Sequence, residues 1–455
     1  MYRHPHLAQK YNVAAPRYTS YPTMPYWDQS TFSRDKWEML TARSFNESNN
    51  EEGVSLYVHL PFCESLCTYC GCNTRITKNH GVEIPYIEAV LKEWGTYRKI
   101  LGRKPNIREI HLGGGTPTFF KAENLQMLIQ GLLADVIVHP DAEFSFEAHP
   151  ANTTAEHLQT LYNLGFKRLS LGIQDFDPKV QHIINRQQSF EQVLDITLKA
   201  RLVGYTSINY DLIYGLPLQT MDGLINTMKF VAGLKPDRIA FYSYAHVPWI
   251  KPGQRKFTEL DLPEPHLKSK LHEIGRSLLR SFGYEEIGMD HFAMPGDKLL
   301  VAQQNGTLHR NFMGYTHQHT QLLIGLGVSS IGDAWYGFAQ NVKTVEEYLQ
   351  MINAGELPVF KGHVLTTDDL IIRKHILNIM CRNKTGWNHH TEPSEAMFDG
   401  IERLEALEQD GLVELNSHGL QVTELGQHFL RNICMALDAR LWADRPSTQL
   451  FSMAV

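Results

Sequence analysis

Cysteine is scarce in this chain, with six in 455 residues, too few to staple a fold of this size with disulfides. No apolar run approaches the ~20 residues needed to cross a bilayer, and the polar stretch over residues 1–10 lacks the apolar core of a secretory leader. Charge of one sign is not in excess either: 43 basic against 49 acidic residues give a net −6, which offers no basic face for nucleic acid. Repeats of solenoid length and low-complexity tracts are missing. These absences predict a cytoplasmic chain that binds neither membrane nor nucleic acid; a monomer is expected, although the sequence does not fix the oligomeric state. What is present suffices for a full core: 43% of residues are hydrophobic, and the length accommodates one large domain and a smaller one.

A strand–helix rhythm begins at Val54. Strands are predicted over residues 54–60, 107–112, 142–148, 168–173, 207–213 and 238–242. Helices fall between them, over residues 82–100, from a Thr153 or Thr154 cap to Gly165, and from Ser189 to Gly204. Six such units in succession predict an α/β fold with a parallel sheet and outer helices. The pattern degrades after Tyr244, so an incomplete parallel (β/α)6-type barrel is expected over residues 51–335. Before it, residues 1–50 are expected to be irregular, an extended or helical segment in which Pro16, Pro22 and Pro25 break any long helix. After it, residues 336–455 are expected to form a small, mainly helical, winged-helix-like domain, with helices over residues 368–380, 394–409 and 423–437 and a hairpin over 412–422.

Four of the six cysteines fall within ten positions, as Cys63, Cys67, Cys70 and Cys72. The C-x3-C-x2-C spacing lets three thiolates of one loop converge on an iron–sulfur cluster. Three ligands leave one iron of a [4Fe–4S] cluster open to a second molecule. The alternative is a structural zinc ion on all four cysteines, although zinc sites more often use two well-separated C-x2-C pairs. Cys381 and Cys434 lie in apolar, helical surroundings and read as packed thiols. Tyr57 and His59 alternate along the first strand and so share a face, expected to look into the barrel.

The loop, with an aromatic residue before its third cysteine and a strand just before it, resembles the radical S-adenosylmethionine superfamily. Further segments carry the resemblance along nearly the whole chain: PRYTSYPT at residues 16–23, SLYVHLPFC at 55–63, GGGTPT at 113–118, IQDF at 173–176, NYDLIYGLP at 209–217, GMDHFA at 288–293, HRNF at 309–312 and RNICM at 431–435. Together they resemble the oxygen-independent coproporphyrinogen III oxidases. The resemblance implies oxidative decarboxylation of two propionates of coproporphyrinogen III to vinyl groups, giving protoporphyrinogen IX. A 5′-deoxyadenosyl radical would take a hydrogen from the propionate β-carbon, and an unidentified electron donor and acceptor would complete the cycle.

It further implies a [4Fe–4S] cluster on Cys63, Cys67 and Cys70 and two molecules of S-adenosylmethionine. The first would contact Tyr57, Gly114, Glu147 and Ile331. The second would contact Tyr69, Gly115, Thr116, Gln174, Arg186, Asp211 and Ala245. Tyr57 and His59 are the catalytic candidates. Arg186 is suited to a carboxylate, and Asp211 to ribose hydroxyls or an amine. The same cysteine loop occurs in a haem-trafficking chaperone and a haem-opening radical methyltransferase; PRYTSYPT and Cys72 favour the oxidase over the chaperone.

Overall fold

The computed structural model describes residues 5–388 and 394–454; residues 1–4 of the polar N-terminus lie outside them. Alternation along the central strands accounts for the architecture. One set of positions, including Leu56, Val58, Ile110, Leu112, Phe146, Leu169 and Leu171, is fully buried and apolar. It packs beneath the helices Glu83–Leu101, Ala122–Leu133, Ala155–Asn163, Phe190–Val203 and Met221–Leu234. Helix ends follow local chemistry: Thr154 and Ser189 each form a capping box, and Gly204 closes its helix at φ 113°.

Twelve strands make one open sheet. In chain order they are β1 Val54–Leu60, β2 Asn106–Gly114, β3 Ile137–Ala148, β4 Phe166–Gln174, β5 Ser207–Tyr214, β6 Arg238–Ser243, β7 Glu285–Gly288, β8 His291–Ala293, β9 Leu322–Leu326, β10 Ile331–Asp333, β11 Gly337–Asn341 and β12 Val359–Val364. The spatial order is β12-β11-β10-β9-β1-β2-β3-β4-β5-β6-β8-β7. Neighbours from β9 through β1 to β6 pair in parallel. The strands beyond them pair antiparallel.

The incomplete barrel is therefore present, with additions at both edges. β9 is a further parallel strand beside β1, and its Leu-Leu-Ile-Gly-Leu run is buried at every position, which removes the alternation that marks a half-buried strand. The boundary expected after residue 335 falls within the sheet, because β11 and β12 continue it to Val364.

The first fifty residues are more regular than expected. Ser33 caps a 15-residue helix, Arg34–Ser48, whose Trp37 lies so close to Gly332 that a Cβ there would come within 2.7 Å of the ring. Residues 16–23 are not simply extended; the backbone bends at Tyr18, with φ 45°.

The C-terminal region has the order helix Thr367–Arg382, strand Lys384–Gly386, helix Glu395–Gln409, hairpin Val413–Asn416 with Gly419–Val422, and helix Leu430–Leu437. The helix expected from Thr423 starts later, at Leu430, and a short helix Ala439–Ala443 follows it; Thr423 stays outside, its hydroxyl accepting the Gly426 N–H at 3.0 Å. Leu7, Tyr18 and Tyr21 belong to the core of this region. Arg431 ties the chain ends together, donating to the carbonyls of Pro16 at 3.1 Å, Met453 at 2.7 Å and Ser452 at 2.8 Å, and also to that of Ala15. The Tyr18 hydroxyl donates to Asp438 at 3.0 Å. Arg431→Met strands these carbonyls and should lower stability by about 3 kcal/mol, read as a reduced urea midpoint; an unchanged midpoint would refute the clasp.

Candidate active site

Parallel barrels usually fill their interior with branched apolar side chains. Here the inward positions are polar. Glu109 and His111 of β2, Ser145 and Glu147 of β3, Arg168 and Ser170 of β4, and Asn209 and Asp211 of β5 surround a cavity of about 210 Å³. A polar interior of this kind is costly without an occupant or a complete hydrogen-bond network.

The cysteine loop leaves the C-terminal end of β1 beside this cavity. Its first part is fixed by main-chain bonds: Gly115 N–H donates to Leu60 O at 2.8 Å and Thr116 N–H to Phe62 O at 3.0 Å. A Cβ on Gly115 would lie 2.6 Å from the Pro61 carbonyl, so glycine there permits the close approach of strand and loop. Cys63, Cys67 and Cys70 are partly exposed and Cys72 is exposed, whereas Cys381 and Cys434 are buried.

The Thr116 hydroxyl is 3.3 Å from Cys63 Sγ, and Arg186 Nη1 donates to Cys67 Sγ at 3.6 Å. Burial pushes the Cys63 thiol up to about 11, with Thr116 opposing and the Cys70 and Cys67 thiols adding to the rise. A hydrogen bond from Cys72, helped by Lys251 and Arg186, holds the Cys70 thiol near 6 despite burial. Among the described residues no three His, Cys, Asp or Glu side chains are gathered closely enough to share one ion. A cubane cluster makes a different demand: each thiolate binds its own iron, so three thiols need only face one volume. Cys67 and Cys70 line one recess, and Cys63 feels both electrostatically. These donors fit such a cluster.

The residues expected at the first S-adenosylmethionine site converge on β1 to β3. Tyr57 donates to His59 Nδ1 at 3.1 Å and stacks near His111, with ring centroids 6.0 Å apart. His59 Nε2 meets the Asn73 carbonyl at 2.8 Å, which requires the proton on Nε2; burial keeps the ring's pKa below its usual value. Both nitrogens of His59 are thus engaged within the protein. Gly114, at φ 110°, has no room for a Cβ beside the His59 ring, 2.6 Å away. Its N–H donates to Glu147 Oε2 at 3.1 Å, while Glu147 Oε1 faces His111 Nε2 at 3.5 Å. Burial pushes the Glu147 carboxyl up, but His111 and the Gly114 N–H outweigh it and hold the pKa below the usual range. Ile331 stands apart at the start of β10, beyond β9, against Trp27 and Phe338.

The second set lies toward β4 to β6. Arg186 Nε and Nη2 donate to the Gly172 carbonyl at 3.0 and 2.6 Å. Gln174 ends β4 at φ 67°, and its buried Oε1 has no hydrogen-bond partner within the protein. Asp211 accepts from Ser170 at 3.2 Å and Asn209 at 2.9 Å. Burial and the nearby Glu147 charge raise its pKa to about 6. Tyr69 and Ala245 are joined by a residue that sequence reading missed: the buried Gln254 amide donates to their carbonyls at 3.3 and 3.2 Å. Gln188, also missed, covers the Gly172 and Ile173 carbonyls. Neither glutamine sits in a motif, and only the folded chain brings them here.

Residues 57–231 match the Radical SAM superfamily model. The chain is 38% identical over 456 residues to the oxygen-independent coproporphyrinogen III oxidase of Escherichia coli strain K12, covering 99% of this chain and 98% of that protein. It is 39% identical over 443 residues to the enzyme of the same name from Helicobacter pylori strain J99, covering 95% of each. The solved structure of coproporphyrinogen III oxidase (HemN) from Escherichia coli, described as a radical SAM enzyme, superposes with a TM-score of 0.88 at 37% identity, covering 93% of this chain and 97% of that one.

Proposed function

The chain belongs to the oxygen-independent coproporphyrinogen III oxidase family of radical SAM enzymes, and from that premise we propose which of its residues perform the reaction. The reaction converts coproporphyrinogen III propionates to vinyl groups in haem biosynthesis, each losing a hydrogen, carbon dioxide and one electron. The haem-trafficking and haem-methylating readings are not favoured. A [4Fe–4S] cluster, when bound, supplies the electron that splits S-adenosylmethionine into methionine and a hydrogen-abstracting deoxyadenosyl radical.

Cys63, Cys67 and Cys70 would hold the cluster, with Thr116 hydrogen-bonded to the Cys63 Sγ and Arg186 to the Cys67 Sγ. Arg186 keeps positive charge beside thiolates whose negative charge would otherwise be stranded at the cavity edge. Tyr57, Gly114 and Glu147 hold one S-adenosylmethionine, the Glu147 carboxylate facing its cationic groups. Ile331 contributes an apolar contact at the far side. Gln174, Arg186 and Asp211 take the second, with Tyr69, Gly115, Thr116 and Ala245 shaping its walls. His59, expected as a catalytic group, is better read as a positioning residue, since it fastens the end of the cysteine loop through Asn73. The enzyme acts as a cytoplasmic monomer, with electron donor and acceptor outside the chain; no helix among the described residues is long and apolar enough to cross a membrane.

The polar barrel interior carries this reading, because two carboxylates, Glu147 and Asp211, face one cavity and neither is hydrogen-bonded to an arginine or lysine among the described residues. Binding stoichiometry tests it. Asp211 must be ionised to attract a sulfonium cofactor, and with a pKa raised to about 6 it loses that charge as pH falls through 6. Equilibrium dialysis of the reconstituted holoprotein should find two S-adenosylmethionine molecules per chain at neutral pH and a weakened second one below pH about 6. Asp211→Asn should show the weaker second site at both pH values. A single site at neutral pH would overturn the assignment.

A further inference from the structure

The thiol loop is overlaid by a segment that the reaction described so far does not use. Residues 246–256, after β6, read His-Val-Pro-Trp-Ile-Lys-Pro-Gly-Gln-Arg-Lys, with three cations and no acid in a chain of net charge −6. Gln254 pins the segment to the loop, and Lys251 Nζ donates to the Cys72 carbonyl at 3.2 Å. At Gly253 a Cβ would lie 3.1 Å from Leu66 of the loop. Loop and segment thereby enclose a recess lined by Leu66, Cys67, Cys70, Cys72, Ile250 and Lys251. Leu66 and Ile250 of that lining are apolar yet exposed, at 39% and 57%, as is Trp249, which precedes Ile250 in the segment, at 54%. Arg255 and Lys256 are exposed on the same segment. The one acid of the loop, Glu64, lies toward His80, 4.0 Å away.

We propose that this surface, with Leu66, Trp249 and Ile250 at its centre and Lys251, Arg255 and Lys256 at its rim, docks an acidic one-electron carrier protein that reduces the cluster. The proposal rests on the cluster assignment above. Each turnover needs an electron from outside, and Cys67 and Cys70, both partly exposed, line the recess that this loop and segment form. One electron leaves the reduced carrier and enters the oxidised cluster; no bond forms or breaks and no proton moves. Charge selects the carrier: a cationic rim on an otherwise acidic chain attracts an acidic partner and repels a basic one. A few exposed aromatic and aliphatic residues suit the small, short-lived contact that electron transfer uses. Gln254 ties the segment to the loop through the Tyr69 and Ala245 carbonyls, which lowers the ordering cost of docking.

The test compares two reductants on the anaerobic reconstituted holoenzyme: the hydroquinone of an acidic flavodoxin, and photoreduced deazaflavin, a small molecule that needs no docking face. Cluster reduction is followed by absorbance and electron paramagnetic resonance, and flavodoxin affinity is measured separately by titration. Arg255→Glu with Lys256→Glu should slow flavodoxin-driven reduction about tenfold at low salt and weaken the complex correspondingly. Trp249→Ser should weaken the complex at all salt concentrations. Both variants should be reduced by deazaflavin, and form vinyl product with it, at wild-type rates. Wild-type rates with flavodoxin in both variants would overturn the proposal. An equal loss with both reductants would also overturn it and make the recess part of the substrate path. A wild-type protein that takes up electrons yet forms no vinyl product would instead undo the assigned reaction.

Discussion

Cys67→Ala should leave the reconstituted protein without a stable cluster and lower vinyl formation by at least ~10³-fold, a loss of ~4 kcal/mol at the barrier, while Cys72→Ala should keep both. The difference follows from where the four thiols stand. Cys67 receives a hydrogen bond from Arg186, and Cys63 is met by Thr116. Both partners come from elsewhere in the chain, so the fold aims them at these two sulfurs. Cys70 is the third thiol of the group, its pKa near 6 already favouring the thiolate that iron requires. Cys72 is exposed and lies two residues past Cys70; its thiol serves Cys70 by hydrogen bonding rather than joining a fourth corner. Iron and sulfide content, measured with electron paramagnetic resonance after reduction, separates the two variants. Equal loss of iron from Cys67→Ala and Cys72→Ala would mean a site closed by four thiolates, with no iron open to S-adenosylmethionine.

Glu147→Gln should cut kcat/KM for S-adenosylmethionine by about 100-fold, roughly 2.7 kcal/mol, with little change in thermal stability. The amide oxygen can still accept the Gly114 N–H, so the local backbone holds. What disappears is the negative charge, which the structure goes to some length to preserve: burial works against it, and the His111 contact and the Gly114 N–H overcome that. A carboxylate kept ionised inside a barrel, with no arginine or lysine bonded to it, is suited to a cationic ligand. The effect should appear mainly in KM, because attraction to the sulfonium and ammonium is present before any bond breaks. An unchanged KM would show that Glu147 serves only the His111–Gly114 contact.

Strand spacing made only part of this candidate site legible; Glu147, Gln174, Arg186 and Asp211 were reached through the resemblance of the chain's motifs. Tyr57 and His59 share a face by their spacing alone, and the GGG run at the end of β2 marks a close approach. The structure assigns that approach to Pro61 and His59, contacts that spacing cannot reveal. Misses have specific physical causes. The helix Arg34–Ser48 buries Thr41, Ser44 and Ser48 beside Trp37 and Phe45, so its inner face carries too many hydroxyls to register as an apolar stripe. β9 hides because an all-apolar strand lacks a period of two, and because short antiparallel strands and the helices Pro265–Ser281 and Lys298–Gln304 intervene between it and β6. The link from Arg431 to Pro16 spans 415 positions, so although RNICM and PRYTSYPT could both be noticed, their meeting could not be read from either. Gln254 bridges two carbonyls of different loops, a role that no local pattern encodes.

The most direct test of the whole account is an anaerobic incubation of the reconstituted enzyme with reductant, S-adenosylmethionine and coproporphyrinogen III, following tetrapyrrole mass and 5′-deoxyadenosine together. The account predicts two successive losses of carbon dioxide plus two hydrogens, ending at protoporphyrinogen IX, with one deoxyadenosine released for each vinyl group formed. Deoxyadenosine released while the tetrapyrrole mass stays unchanged would contradict it.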